Sequence, residues 1–169
     1  MIQKVDNFLY SNDLKKAISI VSTLKWEFNG TSNLNGSTFW NTDLMHVSFF
    51  SEDVFKKIQT RFDKNFKLLR VYANGQTYGQ DGGFHIDDDR DDCFTFILYL
   101  SDIRPENVNV IGGYTEFKFK NGVHSIEPIL NRCVLFDSKL LHRGLAPSRG
   151  SNILRISVAF KLQIKDVRI

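Results

Sequence analysis

Apolar residues change their spacing part-way along this chain, from a helical period to an alternating one. Residues 2–9 read as a short strand or extended entry. Leu14, Ala17, Ile18, Val21 and Leu24 then recur at the intervals of one helical face, with Ser11 or Asn12 as its cap. Trp26 to Phe50 is rich in Asn, Gly, Ser and Thr and reads as a long loop holding one strand. Ser51, Glu52 and Asp53 start a second helix, because acidic groups favour the positive end of its dipole; Val54, Phe55, Ile58 and Phe62 form its buried side. Everything after residue 66 reads as strand, near 67–73, 83–87, 93–100, 114–120, 123–127, 132–137 and 153–163. Asn121-Gly122 lies between two such runs and predicts a tight hairpin built on positive φ angles. Helices first and strands afterwards, without alternation, predict a mainly β (α+β) fold: an antiparallel sandwich or barrel flanked by two N-terminal helices.

Length and composition sharpen this picture in a few places. A chain of 169 residues fits one domain over 1–169, with N-terminal helical support over about 1–66 and a β core over about 67–163. Fifteen Phe favour a thick β-rich core, since each ring buries a large area. Cys93 and Cys133 sit in apolar segments without a Cys-x-x-Cys, so they read as reduced core thiols. The net charge of +3 is spread along the chain rather than gathered in a run, which makes a nucleic-acid partner the weaker expectation. No leader-like or membrane-length apolar stretch is present, so the expected setting is cytoplasmic, with no membrane partner and a monomer or weak homo-oligomer.

The chemistry begins at Gly83-Phe84-His85-Ile86-Asp87. On a strand, His85 and Asp87 project from the same face, and a metal can bridge them. Taken alone, a His-x-Asp pair is more often a surface loop. A third donor has to come from elsewhere, and His142 is the natural candidate: it follows the apolar run Cys133–Phe136 and a short turn that would leave its ring nearly exposed. Two imidazoles and one carboxylate on one side of an iron leave three positions open for a chelating cosubstrate and dioxygen. In the last strand Leu154, Ile156, Val158 and Phe160 form one face and Arg155, Ser157 and Ala159 the other. An inward arginine is costly unless an anion neutralises it, and a dicarboxylate ligand would do so. The alternation through Phe94–Leu100 puts Tyr99 on the same inward side, where guanidinium, hydroxyl and phenol can cradle a carboxylate. The plainer alternative is that Arg155 emerges at a sheet edge.

The pieces LLRVYANGQTYG, FHID, FTFILYLSD, GGYTEFKF, IEPILNRCVLFDS, LLH and LRISVAF, in this order over roughly residues 67–162, resemble the prolyl-hydroxylase-type branch of the Fe(II)/2-oxoglutarate-dependent oxygenases. The resemblance implies a double-stranded β-helix, a jelly-roll or cupin-like barrel, with iron held by His85, Asp87 and His142. It implies 2-oxoglutarate anchored by Arg155 with Ser157 and Tyr99, and Tyr72 reaching the same cosubstrate. Fe(II), 2-oxoglutarate and O2 follow as cofactors, with ascorbate as a candidate addition. The implied activity is hydroxylation of an unactivated carbon, with a prolyl residue in a peptide or protein as the leading substrate; a nucleobase or a small metabolite is the alternative. Retention of Asp87 favours hydroxylation over halogenation, in which a small residue replaces the carboxylate. Departures from the pattern are the longer glycine-bearing stretch between Tyr78 and His85, and the spacing of Arg155, thirteen positions after His142. Arg149, at seven positions, is the rival anchor.

Other features carry less. The run Asp87-Asp88-Asp89-Arg90-Asp91-Asp92 reads as a solvated loop, or more sharply as an attractor of basic substrates that also repels nucleic acid. His46 and His124 lack a carboxylate two positions away and are assigned no role. Phe39 and Trp40 are buried against the sheet or contribute to a substrate lid. A non-enzymatic β-barrel that binds a metal or a sugar, with His85 and His142 as structural residues, is the rival of a different class.

Overall fold

The computed structural model describes residues 1–33 and 36–165. In chain order the elements are β1 (Ile2–Val5), α1 (Ser11–Thr23), β2 (Glu27–Gly30), β3 (Phe39–Asp43), a π-helical turn (Phe49–Val54), α2 (Phe55–Phe62), β4 (Phe66–Gln76) and β5 (Cys93–Tyr99). After these come α3 (Val108–Ile111), β6 (Thr115–Phe119), β7 (Gly122–Ile126), β8 (Cys133–Asp137), β9 (His142–Gly144) and β10 (Arg155–Ile164). The strands form a seven-stranded sheet in the order β1-β8-β5-β10-β4-β3-β2 and a three-stranded sheet in the order β7-β6-β9.

The strict alternation of the central strands gives the large sheet two different faces. Phe94, Phe96 and Leu98 of β5 and Val158, Phe160 and Leu162 of β10 pack with Ala17, Val21, Val54 and Ile58 from the helical side. Phe96 is at the middle of this layer, with the rings of Phe8, Phe62 and Phe160 at 5.1, 6.0 and 5.6 Å. Truncating a ring so enclosed typically costs about 3–5 kcal/mol. On the other face Ile97, Tyr99, Val134 and Phe136 meet Phe117 of β6 and Ile126 of β7, so the small sheet covers part of the large one. The two sheets are the layers of a double-stranded β-helix that stays open: among the described residues no strand joins them into a closed barrel.

A bulge in β4 decides what the uncovered part of that face displays. Lys161 pairs with Arg70 but Leu162 pairs with Leu68, which leaves Leu69 as an extra residue. Below it, Phe66 and Leu68 belong with the helical core; above it, Arg70, Tyr72, Asn74 and Gln76 line the open cavity between the sheets.

The first 66 residues are more than helical support. β2 and β3 extend the large sheet beyond β4, and β1 closes its other edge on β8. The polar composition around β3 hides this, yet Phe39 and Thr42 are buried and Phe28 stacks on Trp40 across the pair at 5.0 Å. Phe39 lines the cavity, and Trp40 pairs with Gly75 as part of the sheet. α1 is preceded by Tyr10 with no side-chain cap bond, and the second helical segment starts at Phe49 rather than Ser51. Residues 83–87 form no ladder; His85 meets His142 in one isolated bridge. The four-residue α3 interrupts the β region. The β6–β7 turn centres on Lys120-Asn121, and only Gly122, at φ 137°, takes a positive angle there. No helix of the described residues is long and apolar enough to cross a membrane.

Candidate metal centre

The segment carrying His85 and Asp87 is stitched to the tract leading into β9. The His85 N–H donates to the His142 carbonyl at 3.0 Å, His142 donates back at 2.9 Å, and the Asp87 N–H donates to the Ser138 carbonyl at 2.9 Å. These bonds set side by side three side chains that are far apart in sequence. One donor atom from each of His85, Asp87 and His142 lies within 4.8 Å of the others. His85 Nε2 is 3.3 Å from Asp87 Oδ1, and His142 Nε2 is 3.4 Å from Asp87 Oδ2. Both Nδ1 atoms point the other way, to the Gly83 carbonyl at 3.0 Å and the Leu140 carbonyl at 2.8 Å. A carbonyl only accepts, so each Nδ1 bears the proton and each Nε2 offers its lone pair to the shared centre. Two imidazoles so oriented, with one carboxylate, fit a ferrous ion that keeps open positions.

Protonation states suit the same purpose. His142 is 4% exposed rather than nearly exposed, wedged against Phe117 and Phe136, and burial pushes its imidazole down to about 4, which keeps it neutral. Burial works against charge on Asp87 too, but His85, Lys161 and His142 outweigh it and hold the carboxyl well below the usual range. Thr95 donates its hydroxyl to Asp87 Oδ2 at 2.6 Å, and the Lys161 ammonium rests on the same oxygen.

An open cavity of about 570 Å³ runs from this centre between the sheets to Arg155. Arg155 is 2% exposed, and every acceptor it meets is neutral: the Gly113 carbonyl at 2.6 Å, Gln76 Oε1 at 2.8 Å, Thr115 Oγ1 at 2.9 Å and Ser157 Oγ at 3.2 Å. Burial depresses its guanidinium. Gly144 makes room for it: a Cβ there would stand 3.3 Å from Arg155 Nη1. A buried cation among neutral oxygens, facing a cavity, is a site for an anion.

Ser157 and Tyr72 line the cavity with Arg155, on the alternating faces of β10 and β4. Tyr99 is fully buried behind it, and its hydroxyl donates to Thr115 Oγ1 at 2.7 Å instead of entering the cavity. Arg149 is exposed beyond Pro147 and lines nothing here. His46 contacts Asp43 at 3.4 Å and His124 is exposed on β7; neither approaches the centre. Within the acidic run Asp88 pairs with Arg90, Asp91 with Lys139 and Asp92 with Gln163, Asp89 is exposed, and only Asp87 lines the cavity. Sequence reasoning passed over Gln76, Thr115 and Lys161, and it placed Thr95 on the inward face without giving it a role. For Lys161 a signal existed, because the alternation that carries Arg155, Ser157 and Ala159 inward extends one step further to it.

Known proteins share this arrangement of strands. A prolyl hydroxylase from Trichoplax adhaerens, solved with a hypoxia inducible factor oxygen degradation domain peptide, superposes with TM-score 0.72 at 17% identity, covering 96% of this chain and 83% of that one. A Pseudomonas putida prolyl-4-hydroxylase gives 0.71 at 16% identity, covering 98% and 93%. HygX from Streptomyces hygroscopicus, solved with nickel, 2-oxoglutarate and hygromycin B, gives 0.70 at 12% identity, covering 97% and 83%. No curated protein matches the sequence. Residues 68–161, more than half of the chain, match the family model described as the 2OG-Fe(II) oxygenase superfamily, and the chain belongs to that superfamily, whose members use Fe(II) and 2-oxoglutarate.

Proposed function

We propose that the chain acts as one oxygenase domain that hydroxylates a prolyl residue in a peptide or protein, in the cytoplasm, with iron held by His85, Asp87 and His142. The observation that carries the reading is the convergence of those three donor sets at one end of a cavity whose other end is the buried Arg155. Iron and 2-oxoglutarate, when bound, supply the oxidising power that inserts one atom of O2 into a C–H bond as the cosubstrate loses CO2 to become succinate. The protein's part is holding and orienting. His85 and His142 present Nε2 because the Gly83 and Leu140 carbonyls fix their tautomers. Thr95 keeps Asp87 turned toward them. Arg155 and Ser157 receive the distal carboxylate of 2-oxoglutarate, Gln76 and Thr115 hold the guanidinium in place, and Tyr99 braces Thr115 from behind. Tyr72 lines the same cavity, where its hydroxyl reaches the cosubstrate. Ile97 and Ala159 form the apolar floor that limits water. The prolyl assignment is supported by the sequence resemblance and by the presence of prolyl hydroxylases among the structural relatives.

The test is anaerobic addition of Fe(II) and 2-oxoglutarate. A visible charge-transfer band is expected, absent in His142→Ala and, in Arg155→Ala, appearing only at much higher 2-oxoglutarate. Chelating the iron should remove the band, and no band in the native protein would refute the iron reading. Mass spectrometry of proline-containing peptides after aerobic turnover then decides the substrate: a gain of one oxygen on proline supports the assignment, and oxidation of small metabolites alone replaces it.

A further inference from the structure

Arg70 and Lys161 are direct cross-strand partners on β4 and β10, and both side chains line the cavity. Like charges set opposite one another repel and are avoided in sheets. The bulge at Leu69 creates the pairing, because without the extra residue Arg70 would share a face with Leu68, toward the helices. Tyr72, the next cavity-facing residue of β4, binds both cations to one spot: the Arg70 guanidinium carbon is 4.4 Å and the Lys161 ammonium 5.6 Å from its ring centroid. Lys161 rests on Asp87 and reaches Thr95 Oγ1 at 3.5 Å. Arg70 is exposed and has no ion pair or hydrogen bond among the described residues. Asp87 is the one acidic side chain among the described residues lining the cavity, and Asn29, Asn41 and Asn74 complete the wall with neutral amides. Asp43, paired with Tyr72 on β3, lies outside the lining and contacts His46.

We propose that Arg70, Lys161 and Tyr72 form a carboxylate-binding subsite for the substrate, so that the carbon oxidised at the centre belongs to a molecule with a carboxylate a few bonds away. The inference rests on the reading of His85, Asp87 and His142 as the iron centre. Asp87 already offsets part of the Lys161 charge, so a substrate carboxylate set beside the two cations gives Arg70 the charge-assisted contact it lacks, and the planar guanidinium favours that group over a neutral amide. Two sources carry this chemistry: a Glu or Asp beside the proline of an acidic peptide, or the carboxylate of a free amino acid such as proline. The expected substrate is thus acidic, opposite in sign to what the Asp87–Asp92 run alone suggests.

Fluorescence anisotropy under anaerobic conditions, on protein loaded with Fe(II) and 2-oxoglutarate, tests the subsite with labelled peptides that carry Glu, Gln or Lys next to one proline, and with free L-proline as competitor. The native protein should bind the Glu peptide at least about tenfold more tightly than the Lys peptide, with a gap that narrows as salt is added. Arg70→Gln should shrink the preference and Arg70→Glu reverse it. Displacement by free L-proline that depends on Arg70 would assign the carboxylate to the amino acid itself and uphold the subsite. Equal affinity for all three peptides with no Arg70-dependent binding of proline overturns it, as does no binding of any carboxylate probe. Thermal unfolding controls for folding: Arg70→Glu places an acid opposite Lys161 and should melt no lower than the native protein. The charge-transfer band keeps the two readings apart. Charge-blind binding with the band present removes only the subsite; Arg70-dependent carboxylate binding without the band removes only the iron reading.

Discussion

Thr115 is the acceptor shared by the Tyr99 hydroxyl and by Nη2 of Arg155. Its hydroxyl oxygen accepts from Tyr99, which is fully buried, and from Arg155, which is buried at the wall of the cavity. Thr115→Val keeps the shape and deletes that acceptor, leaving a phenol and one guanidinium N–H unpaired. The expected loss is about 1–3 kcal/mol in urea unfolding. The second arm is Tyr99→Phe in the Thr115→Val background: it removes the stranded hydroxyl, so the double variant should be no less stable than Thr115→Val alone. A double variant that loses the full sum of the two single effects would show that the two hydroxyls act independently.

Short elements are where expectation and structure part, and α2 illustrates the physics. Its eight residues end at Phe62, and the capping residue that follows, Asp63, takes φ 48° and ψ 51° and donates its N–H to the Gln59 carbonyl. That left-handed conformation suits glycine and strains a residue with a Cβ. Asp63→Gly should raise the melting temperature by an amount equivalent to about 0.5–1 kcal/mol; a lower melting temperature would mean that the carboxylate itself matters. The long strands were legible in the sequence because their period of two is unbroken: β5 and β10 display the faces that their alternation dictates. β9 was not, since three residues carry no period, and β2 and β3 were hidden because their burial comes from pairing with β4 rather than from their own composition. The same distinction governs the candidate site. His85, Asp87, Arg155 and Ser157 stand out because two-residue spacing or a lone inward charge marks them. Thr115, Gln76 and Thr95 do not, because a neutral side chain on a strand acquires its significance only from what the opposite strand puts beside it. Arg70 was hidden by the bulge, which reverses the faces of β4 at a point that no spacing rule locates.

At the scale of the whole molecule the candidate site has no single owner. Arg155 and Ser157 come from the large sheet, His142 from the small one, and His85 and Asp87 from the segment between β4 and β5, which bridges to β9. Its geometry therefore depends on the large sheet being complete at both edges, and the N-terminal edge is locked by charge. Arg132, just before β8 and only 9% exposed at its side chain, donates to Asp6, just after β1, at 2.5 Å and to Glu127 at 2.5 Å. The Arg132 guanidinium holds the Asp6 carboxyl below the usual carboxylate range. A depressed carboxylate binds protons less readily folded than unfolded, so its contribution is fully present above about pH 4 and is lost as acid carries the pH through the folded value. Asp6 is 53% exposed, which limits the contribution to under about 1 kcal/mol. Urea unfolding should accordingly show Asp6→Asn less stable than the native protein at pH 7, with the gap closing as the pH falls below 4. A gap that stays the same from pH 7 to strongly acidic solution would mean that the charge on Asp6 has no part in fastening β1 to the sheet.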